Sequence, residues 1–127
     1  DGRVLSNFIT QALRGEALTV YGDGTQTRSL CYCTDLIEGL VKLMESNEAR
    51  AINLGSEFEF KIIDVANLVR QKINPKLKIV YHPPLQDDPK MRRPNIALAK
   101  QTINWEPTIG LSEGLDRMIQ FYKETLA

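Results

Sequence analysis

Histidine, cysteine and tryptophan are scarce in this 127-residue chain, which has one, two and one of them. A tetrahedral zinc site usually draws on four ligands, and His82 with Cys31 and Cys33 does not make that set, so no metal is expected. The two cysteines are two positions apart. On a strand they would share a face, a poor geometry for a mutual disulfide, and they read as small packing residues. Net charge is lacking as well, since 16 Lys+Arg balance 16 Asp+Glu. No overall field favours nucleic acid or an anionic membrane, so any anion recognition has to be local. Apolar runs stay well short of the ~20 residues a membrane helix needs, and no signal-peptide pattern opens the chain. The expectation is a soluble, cytoplasmic protein.

What is present suits one modest domain. The hydrophobic share is 43%, enough for a core at this length. Val4, Leu5, Phe8, Ile9, Ala12 and Leu13 recur at helical spacing before Gly15, which supplies a stop. A second helix is expected after Thr34, read as its N-cap, with Asp35 complementing the dipole and Leu36, Ile37, Leu40, Val41 and Met44 forming an apolar stripe. Residues 51–54 read as a short buried strand. Ile62 to Ile73 reads as a third helix, ended by Asn74-Pro75. Leu77 to Tyr81 alternates like a strand, and Pro83 to Pro94 is an irregular loop dense in charge. Asn95 can cap a short helix to about Thr102, and a last helix from Leu111 buries Leu115, Met118, Ile119 and Tyr122. Helices with a few short strands and no internal repeat give an α/β class, an α+β lobe suited to packing against something larger.

The stretch from Leu18 to Leu40 holds the strongest local signal. A β-prone run ends at Tyr21, Gly22-Asp23-Gly24 supplies a turn, and a second strand is expected over Arg28 to Cys33. Asp-Gly between two such runs predicts a hairpin, because the turn needs residues that tolerate positive φ. Arg28 stands where the chain leaves the turn. Its planar fork suits a carboxylate or phosphate, although spacing alone allows an ordinary solvated arginine.

The chain resembles the extended short-chain dehydrogenase/reductases that act on nucleotide-sugars, and among them the UDP-glucuronate decarboxylases. The resemblance rests on DGRVLSNFI at 1–9, ALRGEALTVYGDGTQTRS at 12–29, Tyr32 with Asp35, INLG at 52–55, DDPKMRRPNIALAK at 87–100 and NWEP at 104–107. These motifs keep register along the whole chain. The sequence departs from the family pattern at Leu30, Cys33, Lys61, Asn95 and Ile103-Asn104. Lys61 replaces a capping threonine, which predicts a less firmly started third helix.

The resemblance implies that residues 1–127 are a single C-terminal lobe, and that the N-terminal Rossmann domain, which binds NAD in the family, is not in this chain. Neither the family's Gly-rich NAD turn nor its Tyr-x-x-x-Lys pair occurs here. GDGTQT at 22–27 lacks a third glycine and leads toward a strand rather than a helix. The lobe would hold the UDP portion of the substrate. Arg28 and one of Arg92 or Arg93 would face the pyrophosphate, Leu18 and Tyr21 the nucleobase, with Arg3 and Asn53 as weaker candidates. In the parent reaction UDP-glucuronate is oxidised at C4, loses CO2 from the resulting β-keto acid, and is reduced again to UDP-xylose. The parent would be a cytoplasmic homodimer joined through N-terminal helices, and this chain alone would be inactive. A dTDP-glucose 4,6-dehydratase, a UDP-sugar 4-epimerase and a non-catalytic nucleotide-sugar-binding module are the alternatives.

Overall fold

A computed structural model of the chain describes residues 4–86 and 94–126. In chain order these residues form α1 (Val4–Leu13), β1 (Leu18–Tyr21), β2 (Thr27–Ser29), α2 (Cys33–Glu45), β3 (Glu59–Lys61), α3 (Ile62–Ile73), β4 (Ile79–His82), α4 (Ala97–Thr102) and α5 (Leu111–Leu126). The expected α/β class holds, as helices around two small sheets. β1 runs parallel to β4, from Leu18 opposite Ile79 to Tyr21 opposite His82. β2 is antiparallel to β3, with Arg28 opposite Phe60. Among the described residues no helix is long and apolar enough to cross a membrane.

The expected hairpin does not form, since β1 and β2 belong to different sheets. Gly22 and Gly24 do take positive φ, 76° and 80°, but the turn they make is pressed onto the start of α3. A Cβ added at Gly24 would lie 2.7 Å from the Ile63 Cβ. The turn's carbonyls then accept the first amides of α3, Ile62 N–H to Gln26 O and Ile63 N–H to Gly24 O, both at 3.0 Å. Lys61 makes no side-chain cap, so these backbone acceptors replace the capping group the sequence lacks. Turn chemistry was legible, but the partners of its flanking strands were not.

Two further expectations shift. β2 ends at Ser29 and α2 starts at Cys33, one residue before the expected cap Thr34, with Tyr32 in an extended conformation ahead of it. Cys31 and Cys33 therefore do not share a strand. Residues 51–54 carry no strand, and Asn53 is exposed. Asn95 does act as expected at its helix start, accepting the Ala97 N–H at 3.0 Å.

The larger core joins α1, β1, α3 and α5. Phe8, Ile9, Leu18, Val20, Val65, Val69 and Leu115 are fully buried there. Met118 and Tyr122 pack against them, and the Tyr122 hydroxyl bonds the Ser6 Oγ at 2.9 Å. Lys72 on α3 reaches Asp116 on α5 at 2.7 Å.

A second, smaller core gathers Ile96, Ala99, Ile103 and Trp105. α2 meets it with its small and polar side. Gly39 lies against the Trp105 ring so closely that a Cβ would come within 2.9 Å of it. Asp35 is buried, and its carboxylate accepts Thr108 N–H, Thr108 Oγ–H and Ile109 N–H at 3.1, 3.1 and 2.9 Å. Its carbonyl accepts the indole N–H of Trp105 at 2.9 Å. Asp35 lies in the first turn of α2, as expected of a dipole complement, and it also clasps the 105–109 segment onto α2. The apolar stripe of α2 faces away from this contact and is exposed.

Candidate functional site

A cavity of about 250 Å3 opens between α1, β1 and the segment leaving the 22–24 turn. Phe8 and Ile62 form its apolar floor, and Asn7, Gln11, Thr19, Tyr21, Gln26 and Arg28 bring polar groups to it. It adjoins a more open depression of about 780 Å3 bounded by Tyr21, Gln26, His82 and Pro84.

The geometry of β1 explains why the cavity is polar on one side. Leu18 N–H bonds Lys78 O at 2.9 Å and Gly22 N–H bonds His82 O at 2.8 Å, so the alternate residues 18, 20 and 22 face β4. The main-chain groups of Thr19 and Tyr21 must then face the opposite edge, toward the cavity. Two glutamines hold that edge. Gln11 accepts the Thr19 N–H at 3.1 Å and donates to its Oγ at 3.0 Å. Gln26 donates to Tyr21 O at 2.8 Å. Among the described residues, what remains on the edge is the Thr19 carbonyl beside the Tyr21 N–H, an acceptor and a donor in line.

Arg28 lines the same cavity, half-buried, with Nη1 donating to the Thr27 carbonyl at 2.6 Å. That bond holds the guanidinium beside the strand. The neighbouring turn is not an anion cradle. Asp23 Oδ1 accepts Thr25 N–H at 2.9 Å and Thr25 Oγ–H at 2.6 Å, so a carboxylate occupies the place where a phosphate-binding loop presents amides. The turn also leads into β2, and a helix N-terminus that would complete such a loop does not come next.

Of the residues named from the sequence, the structure brings Tyr21 and Arg28 together at one cavity. Leu18 it does not bring there, because its side chain is fully buried in the larger core and its N–H is bonded to β4. Arg3, Arg92 and Arg93 lie outside the described residues. Asn53 sits elsewhere, beyond α2. Asn7, Gln11, Thr19 and Gln26 were missed. A signal for the first two existed, since Asn7 and Gln11 are four apart and share a helix face, polar positions inside an otherwise apolar run.

Cys31 lies outside this cavity, beside α2. Burial, together with the nearby Asp35 carboxylate as a smaller cause, pushes its thiol above the ordinary range.

Comparison with known proteins gives this lobe, with its cavity at an open strand edge, a family context. Residues 1–55 match the model of the NAD dependent epimerase/dehydratase family. The chain is similar to UDP-glucuronic acid decarboxylase 3 of Arabidopsis thaliana, 49% identical over 97% of this chain and 36% of the relative. It is equally similar to UDP-glucuronic acid decarboxylase 1 of Danio rerio, 49% identical over 99% of this chain and 30% of the relative. The chain thus spans about a third of the length of these relatives. Among solved structures it is similar to a Thermotoga maritima UDP-glucose 4-epimerase with UDP-glucose, at a TM-score of 0.94 and 27% identity over 98% of this chain and 40% of that one. It also resembles a Bacillus cereus UDP-glucuronic acid 4-epimerase in complex with UDP-glucuronic acid and NAD, at 0.90 and 27% over 96% and 40%.

Proposed function

We propose that this chain is the nucleotide-holding part of an NAD-dependent UDP-glucuronate decarboxylase, and that it binds the UDP moiety of UDP-glucuronate. The cavity on the open edge of β1 carries the reading. A uracil ring presents an N–H donor next to a carbonyl acceptor, and the Thr19 carbonyl and Tyr21 N–H form the complementary pair. Arg28, at the same cavity, suits the pyrophosphate, whose oxygens a planar guanidinium meets in bidentate fashion. Arg92 or Arg93, and Arg3, are the further arginines that family resemblance offers for the pyrophosphate. The similarity to decarboxylases at 49% identity, against 27% for the structurally similar epimerases, favours the decarboxylase over a 4-epimerase.

Among the described residues, the one turn that resembles a dinucleotide loop does not suit NAD. The Gly22–Gly24 turn is filled by the Asp23 carboxylate and enters a strand, so neither the amides nor the helix dipole of a dinucleotide site is formed there. Residues 1–127 act in this reading as a substrate lobe, and NAD belongs to another part of a homodimeric, cytoplasmic parent. Holding the nucleotide positions the sugar for chemistry performed elsewhere, since remote binding energy keeps the reacting carbon in place.

Titration calorimetry with UDP and with uridine tests the site. Arg28→Ala removes a charge-assisted contact of about 1.5–3 kcal/mol, which is roughly a ten- to hundredfold weaker hold on UDP. Uridine, which lacks the phosphates, should bind as before, and Arg28→Lys should recover only part of the loss. UDP affinity unchanged in the alanine variant would remove Arg28 from the site.

A further inference from the structure

The β1–β4 sheet has a second open edge, on the side away from the nucleotide cavity. Because Leu18, Val20 and Gly22 bond β4 through Lys78, Val80 and His82, the main-chain N–H and C=O groups of Ile79 and Tyr81 point outward. Among the described residues no hydrogen bond reaches them. At the start of this edge the Leu77 carbonyl accepts Arg70 Nη1 at 3.0 Å, and Arg70 Nη2 donates to Asn67 Oδ1 at 2.7 Å. Arg70 and Asn67 belong to α3, so α3 and the open edge form the two walls of a groove of about 520 Å3. Lys76 and Lys78, both exposed, line it as well. The groove thus gathers three cations and no carboxylate, in a chain without net charge. Among the described residues none of the three forms an ion pair within the chain.

We propose that this groove docks an extended acidic segment of a partner protein, which adds a strand to the open edge of β4. The edge presents N–H donors alternating with C=O acceptors, the pattern that another peptide main chain complements. A free phosphate would meet the carbonyls as well as the amides, acceptor against acceptor. The uncompensated charge of Arg70, Lys76 and Lys78 selects carboxylates, which an extended segment can carry at alternate positions on one face. A second copy of this chain does not suit the edge, since an isologous pairing would bring three more cations to the same ladder, and lysines on an edge act against such pairing. The remainder of the enzyme does not suit it either, because in the proposed function that part faces the nucleotide cavity, which shares no lining residue with the groove. Only this last exclusion rests on the proposed function. Exposed ion pairs each contribute little, so the association is weak and falls with added salt, and the ladder supplies its specificity.

A fluorescein-labelled peptide of alternating Glu and Val tests this on the full chain, with binding read by anisotropy and amide hydrogen exchange read by NMR. The acidic peptide should bind, and the same peptide with Lys in place of Glu should not. With the acidic peptide bound, the amides of Ile79 and Tyr81 should exchange at least about tenfold more slowly, as expected for open-edge groups drawn into a ladder. Lys76→Glu combined with Lys78→Glu, both at exposed positions, should weaken binding by roughly tenfold or more. Lys76→Arg with Lys78→Arg should keep it. No binding of the acidic peptide, or equal binding of the lysine peptide, would overturn the proposal. Binding that leaves the Ile79 and Tyr81 amides unprotected would overturn it too, as charge attraction without a ladder. Slow exchange of those amides in the chain alone would show an edge already taken, by a second copy if sedimentation gives a dimer and by the chain itself if it does not. Protection by inorganic phosphate alone would overturn it in favour of a small-anion site. UDP titrated into the same protein separates the two readings: UDP binding without peptide binding sinks the groove alone, and peptide binding without UDP binding sinks the nucleotide site alone.

Discussion

The larger core around α1, β1, α3 and α5 and the smaller one around Trp105 are built on opposite rules. In the first, every helix turns its apolar stripe inward, and Phe8, Val65, Val69 and Leu115 disappear from solvent as their spacing predicts. In the second, α2 turns inward the side that carries Asp35 and Gly39, and its apolar stripe faces out. The contrast teaches that periodicity identifies a face without naming what the face meets. In the larger core apolar burial organises the contacts. Where α2 meets the smaller core, a buried carboxylate and a glycine do so instead.

Substitutions in the two cores probe that difference. Phe8→Ala in the larger core should cost about 3–5 kcal/mol through lost burial and a cavity, read as a shifted denaturation midpoint. Trp105→Ala should cost a similar amount, and a much smaller loss would mean that the second region contributes little to folding. Asp35→Ala comes next. It leaves three donors from Thr108 and Ile109 without their acceptor, and at about 1–3 kcal/mol for a buried orphaned group the chain should lose at least ~2 kcal/mol. A neutral result in urea denaturation would break the claim that a polar clasp organises this region.

Gly39→Ala sharpens the comparison because two effects oppose. Alanine gains about 1 kcal/mol over glycine inside a helix. Its Cβ would, however, meet the buried Trp105 ring at 2.9 Å, and the ring cannot withdraw. Overpacking of about 1–3 kcal/mol should win, giving a net loss in thermal melts. Ile37→Asp in the chain alone, where the side chain is 57% exposed, should stay within about 0.5 kcal/mol of the original, whereas a comparable change on the inward side of α1 would not. The smallest effect is kinetic. With its thiol pushed up by burial and by Asp35, Cys31 holds less reactive thiolate at about pH 8 than an ordinary cysteine. Iodoacetamide labelling with peptide mapping should therefore modify exposed Cys33 several-fold faster.

Much of the helical framework was readable from the sequence. The bounds of α3 and the buried side of α5 come from apolar spacing, and Asn95 from its capping chemistry, because these signals depend on neighbours within one or two turns. Arg28 and Tyr21 were also named as candidates, the first from the chemistry of its fork and the second through family resemblance, and the structure places both at one cavity. Gln11 and Gln26 were not. Each works by holding the open edge of β1, and that edge exists only once β4, far away in sequence, has taken the other side.

The amino-acid order by itself determined which segments would be helical, where glycine had to allow positive φ, and that charge recognition would be local in a chain with no net charge. Local sterics and short-range hydrogen bonds set those outcomes. The tertiary structure alone decided that β1 pairs with β4 and not β2, that the turn between β1 and β2 caps α3, that Asp35 is a buried clasp, and which side of α2 is covered. Each depends on contacts between residues far apart in the chain, and such contacts are selected by packing and by the satisfaction of buried polar groups, which no single segment encodes.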